Sequence, residues 1–236
     1  MNDLLEECSC AILAGGENTR MPVLKAFIEV EGQRLIERNL KIMKQLFSEV
    51  FIVTNRPETY SYLGVPMLGD TYNTRGPMTG IFTSLLNSSN PWVFISACDM
   101  PFVNECLIRY MASGRNNFDA IVPESPLLSK GGHRGGKKRL RRDYTEPLFA
   151  FYSKKLLLSM EKSVISANKS LRDFLSNKRV KYITSGEIRK IDPEAVSFVN
   201  LNTPEDIELY LQTKDKIKYR KKAGRRRKCL VLEQQS

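Results

Sequence analysis

The chain is predicted to fold as an α/β domain, a mostly parallel sheet covered by helices on both faces in a three-layer sandwich. Three observations support this. Short apolar runs lack polar alternation, at residues 8–13 (CSCAIL), 50–54 (VFIVT) and 92–97 (WVFISA), as expected of strands buried on both faces. Segments with helical apolar spacing separate such runs. Glycines, amides and carboxylates cluster directly after the runs, where ligands gather in open α/β sheets.

Taken in order, residues 8–13 form the first strand and enter a Gly15-Gly16 turn. Residues 26–30 (AFIEV) are a short β-like run ending at Glu31-Gly32. Ile36, Leu40, Met43 and Phe47 then fall on one helical face between Arg34 and Phe47. After strand 50–54 come a short helix following Pro57, a strand near 66–69, and a helix over 77–86 whose proline fits the first turn. Strand 92–97 stops at Cys98-Asp99-Met100-Pro101, and a helix over 103–111 and a strand over 118–122 follow. Four glycines at 131, 132, 135 and 136 break regular structure in a basic insert. A strand over 147–152 and two modest helices come next. Finally, Thr203-Pro204-Glu205-Asp206 has the composition of a helix start: a cap, a proline at the first position and an acid facing the dipole.

With 236 residues, 42% hydrophobic and 27% charged, the chain suits one domain with a sizeable core. We expect one folded domain over residues 1–213, carrying the insert at 127–143, and a basic extension over 214–236. The acidic start MNDLLEE has no secretory pattern, and no apolar run is long enough for a membrane. Five scattered cysteines point to reduced thiols and a cytoplasmic location. Cys8-Ser9-Cys10 could suggest a metal, but no second pair accompanies it and His133 is the only histidine. Alternation in a buried strand accounts for it.

The net charge of +11 is unevenly placed. Residues 127–143 carry +6 and residues 214–228 carry +9, leaving the remainder at −4. An acidic body, with little aromatic interleaving in the basic tail, argues against nucleic acid as the main partner.

Four polar clusters follow the strands. The first runs from Leu13-Ala14-Gly15-Gly16 through Arg20 to Lys25. Glycine lets backbone amides approach a phosphate, and Arg20 and Lys25 add charge for a triphosphate. The P-loop pattern is absent. The others are Asn55, Asp70 with the Gly76–Gly80 turn, and Asp99, whose carboxylate suits Mg²⁺. Singly, each has an ordinary explanation as a loop charge, turn former or cap. Their joint placement at successive strand ends is what points to a site.

These motifs resemble the molybdenum cofactor guanylyltransferase family. The resemblance rests on Leu13-Ala14-Gly15-Gly16 with Arg20-Met21 and Lys25, on Asn55, Asp70 and Gly76-Pro77-x-x-Gly80, and on Cys98-Asp99-x-Pro101. Residues 146–152 (EPLFAFY) and 199–206 (VNLNTPED) are also family-like, so the likeness spans roughly residues 8–212. It implies a Rossmann-like sandwich of the nucleotide-diphospho-sugar transferase type and transfer of GMP from GTP to molybdopterin. Leu13, Ala14, Gly15, Gly16, Lys25, Asn55, Asp70, Gly80 and Asp99 would contact GTP. Asp99 would also hold Mg²⁺, Arg20, Lys25 and Asp99 would carry catalysis, and Asn200 and Asn202 would lie near the acceptor. Molybdoenzymes or chaperones would be the protein partners.

The chain departs from the family at Pro22 and Leu24, where glycine and aspartate are usual. Proline has no N–H to contribute to an anion nest. Two alternatives stand beside the main reading. One is a nucleotidyltransferase of the same fold using CTP or another acceptor, although Leu13-Ala14-Gly15-Gly16 resembles the guanylyl branch more than the cytidylyl one. The other is a non-catalytic protein that binds nucleic acid or a partner through its basic segments.

Overall fold

The computed structural model describes residues 4–15, 25–30, 32–74, 76–126, 145–166 and 170–199. Among these, the main sheet has seven strands: β1 (Cys8–Leu13), β4 (Glu49–Val53), β5 (Met67–Leu68), β6 (Trp92–Ala97), β7 (Ala120–Pro123), β8 (Phe149–Ser153) and β9 (Val180–Ile183). Their order is β5-β4-β1-β6-β8-β7-β9. A separate ribbon pairs β2 (Glu29–Val30) with β3 (Gln33–Arg34). It replaces the single run expected over 26–30, because Gly32 takes a φ of +73° and turns the chain back.

β1 pairs in parallel with β4 and β6, β4 with β5, and β7 with β9. β8 alone runs against its neighbours β6 and β7. The chain moves outward from β1 through β4 to β5, then returns to place β6 on the other side of β1. That reversal creates the crevice where ligands bind in open α/β sheets.

Alternation along the strands builds two cores. Cys8, Cys10, Ile12, Ile52, Phe94 and Phe151 face one side, where α1 (Leu35–Leu46), α2 (Pro57–Tyr60), α4 (Glu105–Ser113) and α7 (Ser185–Ile191) pack. Ala11, Val53, Ile95, Val122 and Tyr152 face the other, under α3 (Pro77–Asn87), α5 (Leu157–Ile165) and α6 (Leu171–Ser176). The three-layer sandwich follows from this two-sided burial. Phe94 anchors the first core, with ring centroids 4.8 Å from Phe151, 5.0 Å from Phe149 and 5.8 Å from Phe47.

The helix expected over 103–111 starts later, because Asn104 caps α4 by accepting from the Cys106 and Leu107 amides. Cys8 and Cys10 are buried and free, as alternation in a strand requires, and Cys98 is free as well. Cys106 departs from the expectation of reduced thiols: it is disulfide-bonded. Among the described residues, no helix is long and apolar enough to cross a membrane. The basic insert at 127–143, the helix start at Thr203 and the 214–236 extension lie outside the described residues.

Candidate active site

Strand register assembles the site. Leu13 pairs with Val53 on one side and Ala97 on the other, and Val53 pairs with Leu68. Four strand ends therefore stop at one level. One residue further, backbone bonds still hold the chain: Ala14 N to Val53 O (2.9 Å), Thr54 N to Leu68 O (2.8 Å) and Cys98 N to Leu13 O (3.2 Å). Two residues beyond each strand stand Gly15, Asn55, Asp70 and Asp99. Sequence separations of 15 to 84 residues collapse onto one sheet edge because the strands are parallel and in register.

Asn55 and Asp70 form a closed pair. Asn55 Nδ2 donates to Asp70 Oδ2 at 2.8 Å, and Asp70 N donates to Asn55 Oδ1 at 2.8 Å. The Asn55 amide is thus engaged at both ends in fixing Asp70. The next residues are tied down too: Thr71 N donates to Thr83 Oγ1 at 3.0 Å, and Thr79 Oγ1 donates to Thr74 O at 2.8 Å. These bonds fasten the 70–74 loop to α3. Gly76, with a φ of +141°, makes the turn into the helix that a side chain would strain.

Gly80 is buried within α3. A Cβ there would stand 3.3 Å from Leu13 Cδ2 and 3.7 Å from Val53 Cγ1. Its lack of a side chain lets α3 settle against the ends of β1 and β4. Gly80 thus acts on the edge by packing under Leu13.

The edge continues past Asp99. Ala97 N donates to Leu148 O at 3.0 Å, and Glu146 N donates to Pro123 O at 3.0 Å. Because β8 runs antiparallel, its beginning lies at the edge where the parallel strands end. This brings Glu146 near Asp99, a residue that the family-like EPLFAFY segment contained without marking it as a site residue. Burial pushes the Glu146 carboxyl above its ordinary range. The Arg172 guanidinium opposes that shift, and the Asp99 charge adds to it. Asn39 is a second residue that motif reading missed. Fully buried on α1, it points Nδ2 at Cys98 O (3.5 Å), while its Oδ1 has no hydrogen-bond partner among the described residues. An amide beside the apolar stripe Ile36, Leu40 and Met43 was its only sequence signal.

Leu13, Ala14, Gly15, Asn55, Asp70, Gly80 and Asp99 are therefore brought to one edge or directly beneath it. The backbone of Lys25 begins a short 3₁₀ turn, Lys25–Phe27, but its side chain lies outside what is described. Gly16, Arg20, Pro22, Leu24, Asn200 and Asn202 also lie outside the described residues.

The sheet order, the reversal at β1 and the polar groups gathered along one edge are those of the nucleotidyltransferase class. A family model described as the MobA-like NTP transferase domain matches residues 10–183. The chain is 35% identical over 204 residues to a probable molybdenum cofactor guanylyltransferase of Peptoclostridium acidaminophilum, covering 86% of this chain and 88% of that one. It is 31% identical to the molybdenum cofactor guanylyltransferase of Desulfosudis oleivorans, covering 84% and 91%. The chain belongs to the MobA-like NTP transferase family, in its molybdenum cofactor guanylyltransferase group. Among solved structures, molybdopterin-guanine dinucleotide biosynthesis protein A of Archaeoglobus fulgidus shares the fold, with a TM-score of 0.71, 23% identity and coverage of 88% and 99%. So does 4-diphosphocytidyl-2C-methyl-D-erythritolsynthase of Anaerococcus prevotii, with a TM-score of 0.64, 18% identity and coverage of 88% and 98%.

Proposed function

We propose that this nucleotidyltransferase moves GMP from GTP to the terminal phosphate of molybdopterin and releases pyrophosphate. The observation that carries the reading is the register of β1, β4, β5 and β6, which sets Gly15, Asn55, Asp70 and Asp99 at one level on one edge. The names of the curated relatives supply the nucleotide and the acceptor.

The central difficulty is charge, since an anionic phosphate must approach an anionic triphosphate. The acceptor phosphate needs no general base, because a phosphomonoester loses its second proton at a pKa of about 6. The glycine-turn amides receive triphosphate oxygens, and Arg20 and Lys25 neutralise their charge. The Asn55–Asp70 pair offers the nucleoside a carboxylate in fixed position. Pyrophosphate leaves as the acceptor oxygen bonds to the α-phosphorus.

The donor set fits Mg²⁺. Asp99 supplies a hard oxygen at the edge, two residues beyond the end of β6. Magnesium takes one or two carboxylates, waters and substrate phosphates rather than an all-protein cage. Held by Asp99, it would offset phosphate charge as a Lewis acid.

The test is pyrophosphate release from purified protein with molybdopterin, Mg²⁺ and each of the four nucleoside triphosphates in turn. Release with GTP alone, lost on chelation, is the expected result. Release with CTP instead would move the enzyme to the cytidylyl branch, and release with none would overturn the reading.

A further inference from the structure

We propose that Asn39, buried in α1, is a positioning residue for Asp99: its amide holds the Cys98–Asp99 peptide so that the carboxylate is oriented for the metal. This deepens the nucleotidyl-transfer reading above and rests on its assignment of Asp99 to Mg²⁺.

Six residues of α1 are buried: Leu35, Ile36, Asn39, Leu40, Met43 and Leu46. Five are apolar, as the inward face of an amphipathic helix requires. Asn39 departs from that pattern, and none of its surface is exposed. Its Oδ1 has no hydrogen-bond partner among the described residues. A buried amide left half-satisfied costs stability that an apolar side chain of the same branching would not. Packing therefore does not account for it, and such a break in a local rule is expected where a functional site is served.

The other end of the amide shows which group it serves. Asn39 Nδ2 donates to Cys98 O at 3.5 Å, joining residues 59 positions apart in the chain. Cys98 O and the Asp99 amide belong to one planar peptide unit, so a donor on that oxygen fixes the plane from which Asp99 projects. Two further ties hold the turn. Cys98 N donates to Leu13 O at 3.2 Å, and the Met100 side chain is buried in the core that α1 covers. Asp99 thus stands between two anchored residues, with β1 holding Cys98 through its amide and α1 holding it through its carbonyl. At 3.5 Å the bond is a long one, so its loss should change the aim of Asp99 rather than unfold the turn.

The test uses the full chain with Asn39→Leu and Asn39→Ala, each alone and combined with Asp99→Ala. Affinity for a fluorescent GTP analogue is titrated without acceptor, first in EDTA and then with Mg²⁺. The ratio of the two affinities measures what the metal contributes to nucleotide binding. Loss of one hydrogen bond predicts a ratio reduced about three- to tenfold in Asn39→Leu, with the metal-free affinity unchanged. In the Asp99→Ala background Asn39→Leu should change the ratio no further, because it acts only through that carboxylate. Should Asn39→Leu overpack the core and fail to fold, Asn39→Ala carries the same comparison. A ratio unchanged in the single variants, with or without a fall in metal-free affinity, makes Asn39 a packing residue and overturns the assignment. A further fall in the Asp99→Ala background overturns it as well. None of these titrations requires molybdopterin. An enzyme with the expected ratios but no pyrophosphate release would therefore overturn guanylyl transfer and leave the role of Asn39 in place.

Discussion

At the scale of single residues, Asn55 and Asp70 work as one unit across the β4 and β5 ends. Replacing Asn55 with alanine removes both 2.8 Å bonds and frees the Asp70 carboxylate to rotate. Each such bond is worth about 1 kcal/mol net, so GTP affinity is expected to fall about tenfold or somewhat more. Asn55 is exposed, and the melting temperature should barely move. Titration with a fluorescent GTP analogue and a thermal melt check the two halves of that statement. Asp99→Ala is expected to behave differently, cutting turnover by about a hundredfold or more. Circular dichroism should show the fold intact, since Asp99 stands beyond the last paired residue of β6. A variant turning over at the wild-type rate would remove Asp99 from the chemistry. Asn55, Asp70 and Asp99 were all legible in the sequence, because loop polar residues after buried runs are conspicuous. Their partners were not: nothing in the order of residues says that Asn55 and Asp70, fifteen positions apart, close on each other.

At the scale of elements, most strands and the mostly parallel sheet were readable, and the reversal of β8 was not. Residues 149–153 (FAFYS) are apolar whichever way they run, so the antiparallel course of β8 left no mark in composition. It follows from the connection. β7 ends at Pro123, and a bridge between Glu124 and Thr145 shows the chain returning at the same edge. A return without a crossover forces antiparallel pairing, and that brings Glu146 beside Asp99. β9 and α7 escaped the sequence reading because Lys181 interrupts the apolar run of β9 and Gly186 stands in the first turn of α7. Yet α7 begins with a capping box, Thr184 accepting from the Glu187 amide and Glu187 receiving the Thr184 amide. Thr184→Ala should cost about 1 kcal/mol, read as a lower urea midpoint with an unchanged slope. Loss much below that would mean α7 is held by Ile188 packing alone.

Across the whole molecule, the two edges of the sheet do opposite jobs. The edge carrying Asp99 gathers polar groups just beyond the strand ends, while the far edge is closed by a network joining β1, β4 and the loop between α3 and β6. Ser9, buried in β1, donates to Glu49, lies 2.6 Å from Ser88 Oγ, and accepts from Asn90 Nδ2 at 3.0 Å. Burial alone would raise the Glu49 carboxyl, but hydrogen bonds from Ser9, Ser89 and Ser88 outweigh it and hold the group below its ordinary value. A depressed folded value means that the unfolded chain takes up the proton first as pH falls. The network's stabilisation is therefore fully present above the ordinary carboxylate range near 4.5 and is lost as pH drops through the folded value. Glu49→Gln should lower stability at neutral pH by about 1 kcal/mol, kept modest because the carboxylate is partly solvated. It should also flatten the acid limb of the pH–stability curve. Guanylyl transfer at neutral pH should be unaffected, because six residues of β1 set the network about 20 Å from the Asp99 edge. Urea denaturation of both proteins from pH 3 to pH 7 reads the difference directly. An acid limb as steep in the variant as in the wild type would place the acid sensitivity in other carboxylates, with Asp119, held low by its bonds to Arg179, the next to replace.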